Sequence, residues 1–231
     1  MVLVFAMVTG ATFAYLTSKA SKVTNTFVSG GFGTIELREF NDDGNNETID
    51  WFTGITTEEK KNEYTVVPGV NITKNPTVKF TFDDDKPITN AYIFVTIEYN
   101  TSDDYYKWYY TTGRQLIAKV DGTDCLTVNI AQVWNVVSSA NDKIVLCYGD
   151  ENAARAISAD LGETKIFANL NGDTDKTIAV SSNMTEDMCE NMNNETNKAK
   201  YNLDISAYAI QSESFADASA AWSALQAELS A

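Results

Sequence analysis

The run Ala91 to Tyr99, AYIFVTIEY, is the feature that most limits what this chain can become. Ile93, Val95, Ile97 and Tyr99 recur at every second position, with Tyr92, Phe94, Thr96 and Glu98 between them. A period of two puts these sets on opposite faces of a pleated strand. Weaker runs of the same kind recur along the chain. Val23 to Val28 alternates and breaks at Ser29-Gly30-Gly31, and Phe32 to Glu39 follows with Ile35 and Leu37 on one face. Tyr64 to Val67 is stopped by Pro68-Gly69, where proline presets φ and glycine accepts a positive one. Thr77 to Phe82, Tyr105 to Tyr110, Gln115 to Val120, Lys143 to Tyr148 and Lys200 to Gln211 complete the predicted strands. Asn41 to Glu47 reads as a solvated loop, and Asp83 to Pro87 as a turn.

Four stretches read as helical instead: Trp51 to Lys61, the Ala-rich Glu151 to Leu161, Thr185 to Thr196, and Asp217 to Leu229. In the last, Ala218, Trp222, Leu225 and Leu229 share one face at helical spacing. Many short strands separated by Gly and Asn turns imply a mainly β protein. The expected fold is a jelly-roll-like β-sandwich with helical insertions and a short C-terminal helix. No internal repeat divides residues 32–231, which read as a single domain.

Composition narrows the chemistry. The 231 residues hold 32 Asp and Glu against 17 Lys and Arg, a net charge of −15, and no histidine. Without histidine there is no Ser-His-Asp or Cys-His nucleophile system and no HExxH zinc helix. Strong negative charge argues against nucleic acid as a partner, because phosphate binding needs clustered Lys and Arg. None of the many carboxylates stands out as an acid/base pair. The expectation is a protein without catalytic function and without a cofactor.

The first sixteen residues, MVLVFAMVTGATFAYL, carry no charge, and the first charged residue is Lys19. This run is shorter than the ~20 residues of a spanning helix, but it suits the apolar part of an export signal. Thr12 and Ala14 place small residues at the minus-three and minus-one positions of a cleavage site after Ala14. Residues 1–14 are thus expected to be a signal peptide, with the mature chain secreted to the cell surface or extracellular matrix. The membrane is then met only during export. A competing reading keeps the apolar segment as a filament-core helix, as pilins do. Pilins usually carry a Glu just inside that helix, whereas the first acid here is Glu36.

The ordered set GATFAYLT, VTNTFVSGGFGTIELRE, VVPGVNITKNPTVKFTF, AYIFVTIEY and ISAYAIQSESFADASAAW resembles the TasA/camelysin family of exported bacterial proteins, which are processed by SipW-type signal peptidases. The resemblance spans the mature chain at its landmarks and is weaker from Tyr105 to Asn197. It implies a jelly-roll-like subunit of biofilm-matrix fibres, in which the freed N-terminal segment of one copy completes the sheet of the next. Residues 15–31 would supply that segment. The donor strand would comprise Tyr15, Leu16, Thr17, Ser18, Lys19, Ala20, Ser21, Lys22 and Val23. The partner is then a second copy of the chain, with other matrix proteins or polysaccharide as further partners. One branch of the family is described as metalloproteases; the missing histidine keeps that activity from carrying over. The same segment alternates poorly, and a free N-terminal tail is the competing reading.

Smaller signals remain. Cys125, Cys147 and Cys189 are odd in number and lack CxxC spacing. Cys125 and Cys147 could bridge two strands in an oxidising compartment, or all three could be small buried hydrophobes. Asn169, Asn171, Asp173 and Asp175 alternate oxygen side chains around Gly172, a pattern calcium favours, though the closing Glu of a twelve-residue loop is missing. The sequons at Asn46, Asn71, Asn100, Asn183 and Asn194 fit an Asn- and Thr-rich composition. Tyr105, Tyr106, Trp108, Tyr109 and Tyr110 could stack on sugars, but a strand must turn half of them inward.

Overall fold

The computed structural model describes residues 17–21, 24–27, 32–38, 64–85, 89–140, 142–173 and 175–230. Within them the strands are β1 (Thr17–Ser21), β2 (Thr24–Phe27), β3 (Gly33–Arg38), β4 (Thr77–Phe82), β5 (Ala91–Tyr99), β6 (Tyr106–Thr111) and β7 (Gln115–Val120). They continue as β8 (Thr123–Asn129), β9 (Trp134–Ala140), β10 (Lys143–Tyr148), β11 (Leu161–Lys165) and β12 (Ile178–Val180). Helices α1 (Glu186–Asn193) and α2 (Glu195–Lys198) and a 3₁₀ turn (Ala199–Tyr201) precede β13 (Leu203–Gln211), and α3 (Ala218–Leu229) follows it.

The strands form three antiparallel sheets. One has the order β2-β1-β13-β5-β10-β9, the second β11-β4-β3, and the third β12-β8-β7-β6. The two smaller sheets make one layer. Ala131 N–H donates to the Ile166 carbonyl, Ile166 N–H to Pro76, and Ala168 N–H to Asn129, which ties the segment after β11 to both. The six-stranded sheet is the other layer. Ile93, Val95 and Ile97 of β5 and Ile144 and Leu146 of β10 point between the layers. There they share one core with Ile35, Leu37 and Phe80 of the second sheet and Leu116 and Val128 of the third. This is the expected mainly β, jelly-roll-like sandwich.

The outer face of the large sheet is also buried. Phe94, Val145, Cys147, Tyr208 and Ile210 lie beneath Ala218, Ala221, Trp222 and Leu225 of α3. β5 therefore carries apolar side chains on both faces, as a strand covered on both sides must. Asp217 caps α3 by accepting from Ala220 N–H at 2.9 Å. Leu229, expected on the buried stripe, is 43 % exposed, because α3 runs past the sheet there.

Several expectations are corrected. Glu151 to Leu161 is not helical: the Asp150 carboxylate accepts from the Asn152 and Ala153 N–H groups at 2.9 and 3.0 Å. Ala154 then bridges Gly149, and Ile157 bridges Ala91. The backbone groups a helix would pair internally are taken by strand ends. Tyr64 to Val67 makes only an isolated bridge, Val67 to Val70, around the Pro68-Gly69 turn with Gly69 at φ +71°. Four strands arise where no strand was expected: β8, β9, β11 and β12. The helix expected over Trp51 to Lys61, the loop Asn41 to Glu47 and the leader lie outside the described residues.

The three cysteines are free thiols and all are buried. Cys125 packs in the core between the layers and Cys147 on the opposite face of the large sheet under α3. The bridge between Cys125 and Cys147 is not made, since a sheet separates them; the reading as small core hydrophobes holds.

Candidate functional site: the strand on the β13 border

Of the expected donor residues, Thr17, Ser18, Lys19, Ala20 and Ser21 form β1. Tyr15, Leu16, Lys22 and Val23, like Thr12 and Ala14, lie outside the described residues. β1 runs antiparallel to β13 with Thr17 opposite Ile210, Ser18 opposite Ala209, Lys19 opposite Tyr208, Ala20 opposite Ala207 and Ser21 opposite Ser206. β2 pairs back onto β1, from Ser18 opposite Phe27 to Ser21 opposite Thr24, so two residues join the strands. The β-branched alternation after Val23 sets β2, and the paired edge of β13 sets β1.

Register decides what β1 covers. Ser18 and Ala20 oppose Ala209 and Ala207, the core-facing positions of β13, both fully buried. Thr17 and Lys19 oppose Ile210 and Tyr208, the positions that meet α3. β3, the border strand of the second sheet, runs alongside β1, β2 and β13. β13 is paired on its other side along its whole length, Leu203 with Tyr99 through Gln211 with Ala91. Without β1, its backbone from Ser206 to Ile210 would be an open border, the kind of edge another chain can pair with.

Charge is unevenly divided. Up to Ile35 the chain has Lys19 and Lys22 and no acid, so all 32 acids lie beyond it. A cationic N-terminal stretch beside an anionic body attracts a neighbour's body as readily as its own, and salt weakens both attractions.

The other signalled residues are placed elsewhere. Asp173 Oδ1 accepts from the Asp175 and Lys176 N–H groups at 3.0 and 3.1 Å, and these bonds lower its pKa. Asn169 Oδ1 accepts from Lys165 at 3.3 Å. Two of the oxygens expected for calcium are thus engaged, Asp173 within the turn and Asn169 by Lys165 at the end of β11. No group of three or more His, Cys, Asp or Glu suited to a metal occurs among the described residues. In the aromatic run Tyr106 and Trp108 point into the core and Tyr105 is 42 % exposed, as the period of two requires. Tyr106 meets Tyr201 edge-on at 5.6 Å, and burial pushes the Tyr201 phenol well above its ordinary value. The residues that sequence reasoning missed at this border are Ala207 and Ala209. Their alternation was visible, but nothing in it named β1 as their neighbour. Comparison with family models, with curated proteins and with solved structures finds no match.

Proposed function

We propose that the chain is a secreted structural subunit, without catalytic activity, that polymerises into cell-surface or biofilm-matrix fibres by donor-strand exchange. One observation carries the reading: β1 adds to the β13 border in a defined antiparallel register. The same segment of another copy can take the same register. Such a swap replaces each bond by an identical one, so its cost is small and protein concentration decides the outcome. Each copy gives one strand and receives one, a head-to-tail contact that does not close and therefore grows a filament. Export with cleavage after Ala14 would free Tyr15 and the strand behind it.

A second reading rests on the same pairing. Left within its own chain, β1 makes a self-contained exported sandwich that stays monomeric and serves as an adhesin or carbohydrate-binding module.

The test uses protein beginning at Tyr15, concentrated and viewed by electron microscopy, beside a form lacking residues 15–27. Filaments are expected from the first and none from the second. A synthetic peptide of residues 15–27 is expected to bind the shortened form. Equal filaments from both forms would defeat strand donation, and a strictly monomeric Tyr15 form would select the second reading.

A further inference from the structure

The border of the six-stranded sheet opposite β1 carries a different feature. There, β9 and the free side of β6 face each other across a cleft of about 630 Å³, lined by Tyr99, Thr101, Lys107, Tyr109, Tyr110 and Ser139 together with Trp108 and Ala140. This size lies within the ~300–1,000 Å³ range of small-ligand sites. From the phenol- and hydroxyl-bearing residues that line this cleft, we infer that it binds a neutral oligosaccharide.

The chemistry of the lining selects that class. The Tyr99 and Tyr110 phenols and the Thr101 and Ser139 hydroxyls make no hydrogen bond among the described residues. Each can both donate and accept, as a sugar hydroxyl does. Burial pushes both phenols above their ordinary value, so they stay protonated. Trp108 is almost fully buried, and its indole N–H has no acceptor among the described residues. Tyr109 and Tyr110 are half-buried; the Lys119 ammonium covers the Tyr109 ring at 4.6 Å and the Tyr109 phenol donates to Asp124 at 3.0 Å, so of the two it is Tyr110 whose phenol is left for a ligand.

Competing ligands fit less well. Among the described residues the one cation of the lining, Lys107, is already paired with Asp104 at 3.3 Å, and the chain carries −15 overall. An anionic sugar or a phosphate would thus meet no free positive charge among the described residues. A peptide strand would need the free border of β6. Asn100 already occupies half of it: its carbonyl accepts from Trp108 N–H at 2.9 Å and its amide donates to the Tyr106 carbonyl at 3.4 Å. A sugar needs no continuous backbone ladder. The cleft is separate from the β13 border, so this inference stands whether or not fibres form.

The test is calorimetric titration of the chain from Tyr15 with cellohexaose, laminarihexaose and chitohexaose. Saturable binding of at least one of them is expected. The Tyr99→Phe/Tyr110→Phe double variant, which keeps both rings, is expected to weaken it about tenfold or more. Ser139→Trp, at an exposed position on the rim, should abolish it. Thr127→Trp, on the outer face of the third sheet, should leave it unchanged. Circular dichroism spectra identical to the parent chain would show that each variant is folded. Absence of binding to all three hexasaccharides would overturn the inference. Binding that ignores Ser139→Trp, or seating of the 15–27 peptide in this cleft, would overturn it equally.

Discussion

Phe94 of β5 and Trp222 of α3 meet with ring centroids 5.4 Å apart, and Tyr208 of β13 approaches the same indole edge-on at 5.8 Å. This triad joins the C-terminal helix to the two strands at the centre of the large sheet. One of them, β13, bears the N-terminal strand on its other side.

Removing the indole should loosen that seal. Trp222→Ala takes away a ring that is 5 % exposed and leaves a void against Phe94 and Tyr208. A loss of about 3–5 kcal/mol is expected, from lost burial plus the cavity. Urea unfolding followed by circular dichroism measures it. A loss below about 1 kcal/mol would show that α3 does not seal this face.

The register of β1 allows strand exchange to be trapped covalently. Ser18 faces Ala209 across the β1–β13 pair, where Cα atoms of antiparallel partners lie about 4.5–5.5 Å apart, close enough for a disulfide. Ser18→Cys with Ala209→Cys should give an intramolecular bridge in dilute monomer. Oxidised filaments should instead give a ladder of covalent oligomers on non-reducing gels. Filaments that yield only bridged monomer would show that β1 stays with its own chain.

The native thiols should not interfere. Cys125, Cys147 and Cys189 are buried and free, and desolvation pushes all three above the ordinary thiol value, Cys147 most strongly. Thiol reagents at neutral pH should label the folded chain slowly and label three groups after denaturation. Rapid native labelling of Cys147 would mean that α3 lifts away readily.

Acid should release specific turns. Asp103 is held below its ordinary value of 3.8 first by the Lys200 ammonium, at 2.8 Å, and then by the Tyr106 N–H. Asp150 is held down first by the Asn152 N–H, and Asp173 by the Asp175 N–H. A lowered folded value means that the stabilisation is present above 3.8 and is lost as pH falls through the lower folded value. Protection of the Tyr106, Asn152 and Asp175 amides, taken against the intrinsic exchange rate at each pH, should therefore fall as pH drops below 3.8, and Asp173→Ala should remove that acid step at Asp175. Protection at Asp175 that still steps down in the variant would refute the assignment.

The strands that could be read in advance share one property. Thr77–Phe82, Ala91–Tyr99, Gln115–Val120 and Lys143–Tyr148 carry their own β-branched or aromatic alternation, and their bounds agree with the structure. β11, LGETK, has one apolar residue at its start, and β12 has three residues, so neither shows a pattern of its own. They are strands because β4 and β8 offer them open backbone groups. The Ala-rich Glu151 to Leu161 shows the converse, since a good helical composition yields to a turn capped by Asp150.

The sequence by itself determined the class of the fold, the helical stretches that open at Thr185 and Asp217, the exclusion of histidine chemistry and the cationic start of an acidic chain, because each follows from local pattern or from counting. Only the tertiary structure decided that Ala207 and Ala209 receive β1, that Cys125 and Cys147 lie on opposite sides of the large sheet, and that β6 and β9 enclose a cleft. Those facts depend on which distant segments become neighbours, and a period of two fixes the faces of a strand but not the strand beside it.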